Sequence, residues 1–277
     1  MIRLLQIEFI KLWNNRASKV LIISYFALLT SIALVAAIKF DIGPIKFHLA
    51  DQGIFNFPYI WHFNTFITAF FKLFLAIVIV SMMSNEYSNK TIKQNLIDGL
   101  SKKEFIFSKF LTVVSFSLVS TIFVFIVSLI LGLIYSDFNE ISIILTDLEF
   151  LLAFFIKLTG FFSFCLFLGV LVKRSAFALG FLILWQVFEG IFRGIIRWKF
   201  FDSETTDIIM GFFPLQSMFN LIKEPFSRLG AVQSVANQMG EQLALDYYIH
   251  WYEIVIVVAW IAIFVYGSLA ILKRRDL

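Results

Sequence analysis

The side chains that could do chemistry in this sequence of 277 residues fall into three sets. His48, His62 and His250 are its only histidines, far apart along the chain, and a metal site would need them to converge. Lys72, Lys157, Gln186, Glu189 and Arg193 lie in long apolar runs, where a charge is costly and marks either function or a structural ion pair. The stretch 84–110, SNEYSNKTIKQNLIDGLSKKEFIFSKF, is densely polar between two apolar runs. Nowhere does the sequence show G-x-x-x-x-G-K-[ST], whose backbone would cradle a nucleotide phosphate, nor G-x-G-x-x-G, H-E-x-x-H or G-x-S-x-G. The lone cysteine, Cys165, excludes a disulfide scaffold and reads as a small apolar residue in a phenylalanine-rich run.

The elements that must position these groups follow from composition. The chain is 60% hydrophobic with 36 Phe, and 15% charged, against roughly 25% in an ordinary soluble domain. That mixture excludes a soluble globular enzyme and a disordered chain. The apolar runs are continuous and about twenty residues long, the length a helix needs to cross a hydrocarbon core of roughly 30 Å. Barrel strands would alternate with period two instead. The expectation is an all-α, polytopic membrane protein forming one transmembrane domain over 1–277, with six spans near 19–38, 64–84, 105–134, 150–172, 175–196 and 250–272. The first run follows Arg3, Glu8, Lys11 and Arg16 and has no small-x-small cleavage site after it, so it reads as a retained anchor.

An even number of spans places both termini on one side. Lys90, Lys93, Lys102, Lys103 and Lys109, then Lys173 and Arg174, flank the short loops of that side, whereas the loop 135–149 on the other has no Lys or Arg. By the positive-inside rule the termini are cytoplasmic. The net charge of +4 is thus a topology signal, and nothing points to nucleic acid.

Three pieces lie outside the spans. In residues 1–15, apolar positions 2, 5, 9, 12 and 13 share a helical face, which suits a helix lying in the membrane interface. In 84–110, Ile92, Leu96 and Leu100 recur at i, i+4 and i+8 among Lys90, Lys93 and Gln94, predicting a short amphipathic helix over 89–98. Gly99 can end it, and Ser101 with Glu104 forms an S-x-x-E capping box for the next helix, with Leu100 and Phe105 at the staple positions. The region 197–249 is broken by Pro214, Pro225, Gly211, Gly230 and Gly240 and reads as re-entrant or surface helices outside the cytoplasm, with 229–248 as an outer helix. The loop 39–60 reads as an exposed connection.

The intramembrane charges share a depth. At about 1.5 Å per residue, Lys72 lies roughly 18 Å and Lys157 roughly 21 Å from the cytoplasmic ends of their spans, and Glu189 sits similarly far along the fifth. Gln186, Glu189, Arg193 and Arg197 form one helical stripe, with Glu189 and Arg193 at i, i+4 spacing. The set reads as a polar layer lining a substrate path, or as a structural cluster with snorkelling lysines.

In its order of parts the sequence resembles the membrane (permease) subunit of a type-2 ABC exporter. Residues 1–15 match the elbow helix of that family, 85–104 its cytoplasmic coupling region, and 197–249 the re-entrant element before its sixth span. Within 85–110 the resemblance places Glu86 at the end of span two, Thr91 in the coupling segment, Ser101, Lys102 and Glu104 at the turn, and Lys109 beyond it. Where the family often has Gly before that Thr, and Pro near the turn, this sequence has Lys90 and Gly99–Leu100. The ending AILKRRDL is also similar. The resemblance implies a bacterial plasma (inner) membrane location and a dimer with a second copy or a related permease chain. It also implies two copies of a separate cytoplasmic ABC ATPase that holds ATP and Mg, this chain needing no cofactor and doing no catalysis. Contact with the motor would then fall to Glu86, Lys90, Thr91, Ile92, Lys93, Leu96, Ser101 and Glu104, and the substrate path to Lys72, Lys157, Gln186, Glu189 and Arg193. A secondary transporter would need internal repeats around a midplane site, and none stands out between 19–134 and 150–272. A membrane scaffold without transport activity is the other alternative that fits the lack of catalytic motifs.

Overall fold

A computed structural model describes residues 2–37, 39–42, 45–48, 53–238 and 246–275. The chain opens with α1 (Ile2–Asn14) and α2 (Arg16–Ala37), then a two-stranded antiparallel hairpin of β1 (Lys39–Ile42) and β2 (Ile45–His48), with Lys39 opposite His48 and Ile42 opposite Ile45. α3 (Tyr59–Ala69), α4 (Lys72–Ser88), α5 (Thr91–Ile97) and α6 (Lys102–Tyr135) follow. After α7 (Ile141–Ile144) come α8 (Glu149–Val172), α9 (Ser175–Lys199), α10 (Ser203–Met210) and α11 (Pro214–Asn220). A 3-10 turn (Phe226–Arg228), α12 (Gly230–Gln238) and α13 (Trp251–Arg274) close the chain.

By length and apolarity α6, the α7–α8 stretch, α9 and α13 can each cross a membrane, and α3 with α4 adds a fifth crossing if that bent pair is one span. The chain is therefore a multi-pass helical membrane protein. α8 is its buried centre, touching α13, α4, α6 and α9. Small residues let the helices close in, as they must where lipid tails supply no hydrophobic drive between helices. A Cβ on Gly169 would come within 2.9 Å of the Met83 Cβ on α4, and one on Gly160 within 3.0 Å of Val257 on α13.

Two expectations need correction. The span expected at 64–84 is broken: α3 and α4 meet at 46° across Phe70 and Phe71. The break contains no proline. There the backbone switches to i→i−3 bonds, from Phe70 N to Ile67 O and from Phe71 N to Thr68 O, while the Thr65 and Thr68 hydroxyls donate back to the carbonyls of Trp61 and Asn64. Such back-bonding bends helices. Nor is the 39–60 connection simply exposed. Ile54, Phe55 and Phe57 are buried, and Phe57 N donates to Ser136 Oγ at 3.1 Å. The Phe57 ring fills the space where a side chain on Gly132 would stand, 2.2 Å from a Cβ there. Apolar side chains thus outweighed the turn-rich local sequence.

The broken region 197–249 forms α10, α11 and α12, each too short to cross, as its Gly and Pro spacing predicts; residues 239–245 of the outer helix expected over 229–248 lie outside the described set.

Candidate functional site

Two sites emerge, one at the end of the bundle that carries α1 and α5, the other beside the break between α3 and α4. The first centres on Glu86, in the last turn of α4. Lys109, in the second turn of α6 and fully buried, places its Nζ 2.5 Å from Glu86 Oε1 and 2.5 Å from Glu8 Oε2 of α1. Lys11 Nζ lies 2.9 Å from the same Glu86 oxygen and 3.7 Å from Glu8 Oε1. The Thr91 hydroxyl, at the start of α5, donates to the Glu86 carboxylate. Two carboxylates and two ammonium groups balance, which is what a buried charge cluster requires. Burial alone would lower the Lys11 pKa, but the hydrogen bond to Glu86 and the charges of Glu8 and Glu86 outweigh it and raise it above its ordinary 10.5. Lys11 therefore stays charged at any physiological pH.

Glu8 and Leu12 of α1 face the protein, while Ile2, Ile10 and Trp13 face outward. Glu8 meets Lys109 inside, with Leu12 packed beside it, and the other apolar side chains named are left to the surroundings.

α5 hangs from Glu86 through Thr91. It buries Ile92 and half-buries Leu96, while Lys90, Lys93 and Ile97 stand exposed, Ile97 at 76%. Lys90 occupies its N-cap in a left-handed conformation, φ 56°. That conformation costs a residue with a Cβ roughly 1–2 kcal/mol. Gly99 ends the helix at φ 96°, where glycine is the undemanding choice. Gly99 N donates to Leu96 O and Leu100 N to Asn95 O, the paired bonds of a Schellman stop. Ser101 and Glu104 then form the predicted capping box: Glu104 N donates to Ser101 Oγ at 3.1 Å and Ser101 N to Glu104 Oε2 at 3.0 Å. Nearby, the Lys102 ammonium donates to the Lys273 and Arg275 carbonyls, and the Arg275 guanidinium to Tyr87 Oη and the Leu171 carbonyl, tying the ends of four helices together.

The second site is a cavity of about 500 Å³ beside the break between α3 and α4. Four of the five residues of the expected polar layer line it: Lys72, Lys157, Gln186 and Arg193. Glu189 does not. The expected Glu189–Arg193 pair is absent, because each has a nearer partner. Arg193 pairs with Asp207 of α10 at 2.7 Å. Glu189, buried, accepts from Trp185 Nε1 at 2.7 Å, Leu215 N at 3.1 Å and Gln216 N at 2.9 Å.

Those last two bonds complete the start of α11. Phe213 N donates to Met210 O, Pro214 has no N–H, and Leu215 and Gln216 donate to Glu189. Every N–H left over at this helix start thus has a partner, as non-spanning backbone inside a membrane protein requires. At the other end the Lys157 ammonium lies 3.4 Å from Phe219 O and 3.5 Å from Ile222 O. A carboxylate holds the positive end of α11 and an ammonium its negative end, both signs favourable to the helix dipole.

The histidines go separate ways. His62, buried, stacks on Phe150 and bonds Lys223 O and the Arg228 guanidinium, while His250 pairs with Asp246. The His48 side chain lies outside the described set. Cys165 is buried.

Reasoning from sequence missed Glu8 and Lys11 as site residues. The signal available was an acid and a base at i, i+3 on a helix read as lying in the interface, with Lys109, placed by resemblance and given no partner, eight residues into an apolar helix.

The chain is an apolar helical bundle of membrane-spanning length with a balanced charge cluster at one end. Residues 4–189 match the family of ABC-2 transporter proteins. The chain belongs to that family and is a permease-type subunit of an ABC transporter, a membership that implies partnership with an ABC ATPase and with the bilayer. No curated protein matches the chain.

Proposed function

We propose that this chain is the permease subunit of an ATP-driven exporter in the bacterial inner membrane. In this reading α2, the α3–α4 pair, α6, α8, α9 and α13 are six spans, with both termini cytoplasmic. α1 is the elbow helix and α5 the coupling helix. Two permease chains, identical or related, pair with two cytoplasmic ATPases that bind ATP and Mg. The cavity holding Lys72, Lys157, Gln186 and Arg193 belongs to the substrate path, and Glu189 positions α11 along it.

The observation that carries the reading is the position of Glu86. It receives Thr91 from α5, Lys11 from α1 and Lys109 from α6, so displacement of α5 is delivered to three other helices through one buried carboxylate. Burial and balanced charge make these contacts stiff: separating them would leave an uncompensated charge in the interior. The exposed side of α5, with Lys90, Lys93 and Ile97, is free to meet the motor.

The test uses the complex with the cognate soluble ATPase, expected to be encoded beside this chain and to carry a Walker A motif. Lys90→Glu with Lys93→Glu should lose the co-purifying ATPase, and Lys109→Met should retain it while losing coupled transport. Full retention of the ATPase after both charge reversals and after disruption of the helix by Ile92→Asp would overturn the assignment of α5.

A further inference from the structure

We propose that the cavity beside the break between α3 and α4 binds an amphiphilic anion, its carboxylate, phosphate or sulfate head held by Lys72 and Lys157 and its apolar tail laid along Phe66, Phe70 and Leu182. The proposal rests on the reading of this cavity as part of the substrate path and names the class of substrate.

The lining carries three cationic side chains, Lys72, Lys157 and Arg193, and no Asp or Glu. Most of the remaining wall is aliphatic or aromatic, and the volume of about 500 Å³ lies within the range of roughly 300–1,000 Å³ usual for ligand sites. The three cations differ in what already satisfies them. Arg193 has Asp207 as counter-charge. Among the described residues Lys157 meets neutral carbonyls, those of Phe219 and Ile222, and the Phe219 ring. Lys72 lies 4.3 Å from the centre of the Phe161 ring, and among the described residues no carboxylate pairs with it. Among the described residues, two lysines thus face one cavity with no carboxylate paired to either, and their ammonium form is expensive there unless an anion completes it. An inorganic anion would satisfy the charge and leave the apolar wall unused. A neutral amphiphile would do the reverse. Only a head-and-tail anion matches both parts of the lining.

Lys72 owes its place to the helix break. It is the first residue of α4, and an unbroken span would carry its side chain in a different direction from the turn that opens here.

The test reconstitutes the full chain with its partner ATPase in nanodiscs of phosphatidylcholine and titrates 11-(dansylamino)undecanoate, its uncharged amide and a trimethylammonium analogue of equal length. The carboxylate should bind at least about tenfold more tightly than the amide, a difference of about 1.4 kcal/mol. Lys72→Gln should abolish that preference while leaving amide binding in place. Lys157→Arg keeps charge and carbonyl bonding and should keep the preference, guarding against loss of α11. Equal affinity for all three probes, or no binding of the carboxylate, overturns the proposal. Phosphatidylglycerol added to the disc identifies the source of the natural ligand: displacement of the probe supports a bilayer lipid, and retention supports a free single-chain amphiphile, the anion site standing in both. Selective anion binding that leaves ATP hydrolysis unaltered keeps the site and rejects the transport path. Stimulation of hydrolysis by carboxylate and amide alike keeps the path and rejects the anion.

Discussion

The Lys109 ammonium lies 2.5 Å from the Glu86 carboxylate, Lys109 wholly out of contact with solvent and Glu86 nearly so, and the same ammonium reaches Glu8 at the same distance. Three helices meet at one charge-balanced centre, and the short helix α5 is attached to it through Thr91. In the proposed coupling, stability and the transmission of motion would draw on the same few atoms.

Removing one member of this cluster should cost more than removing two. Lys109→Met leaves Glu8 and Glu86 buried with reduced compensation, a loss of about 3–5 kcal/mol by analogy with other broken buried pairs. Adding Glu86→Gln removes the stranded charge and should recover part of that loss, a coupling visible in a double-mutant cycle. Thermal unfolding of the detergent-solubilised chain measures it. Additive losses would mean that the two side chains do not share one cluster.

Lys90 stands in a left-handed conformation at the start of α5. Members of the family to which the sequence is similar often carry glycine there, and the φ of 56° supplies the physical reason, since glycine has no Cβ to strain. Lys90→Gly should raise stability by up to about 1–2 kcal/mol, offset in part by greater freedom of the unfolded chain. Lys90→Ala should bring no such gain. Equal melting temperatures for the glycine and alanine variants would contradict the strain.

Glu189 holds the start of α11 with two backbone hydrogen bonds to a buried carboxylate. Bonds to charged groups contribute about 1.5–3 kcal/mol each, so Glu189→Ala should destabilise the chain by several kcal/mol, and faster amide exchange at Leu215 and Gln216 should accompany it. Glu189→Gln retains an acceptor and should fall between. Unchanged exchange at Leu215 in Glu189→Ala would show that the cap is not needed.

What could be read in the sequence was local. The capping box at Ser101 and Glu104, the stop at Gly99 and the amphipathic spacing of Ile92 and Leu96 all rest on neighbours within a few residues, and each appears in the structure. The long apolar runs likewise announced helices of membrane length. What could not be read was pairing across the chain. Glu8 and Lys109 are separated by 101 positions, and local spacing gives Glu189 an attractive i, i+4 partner in Arg193 that loses to α10 and α11. The break at Phe70 and Phe71 contains neither proline nor glycine, so no residue type marked it. Glu86 was legible as important through resemblance alone; its bond to Lys109 was not.

The central claim is that a separate ATPase pushes on α5, and the exposed Ile97 offers the most direct access to it. A photo-reactive amino acid placed at position 97 of the full chain, irradiated in inside-out membrane vesicles with the partner ATPase present, should cross-link to that ATPase, with a yield that changes between ATP-bound and nucleotide-free states. Cross-links formed solely to lipid, or to this chain itself in both states, would contradict the account.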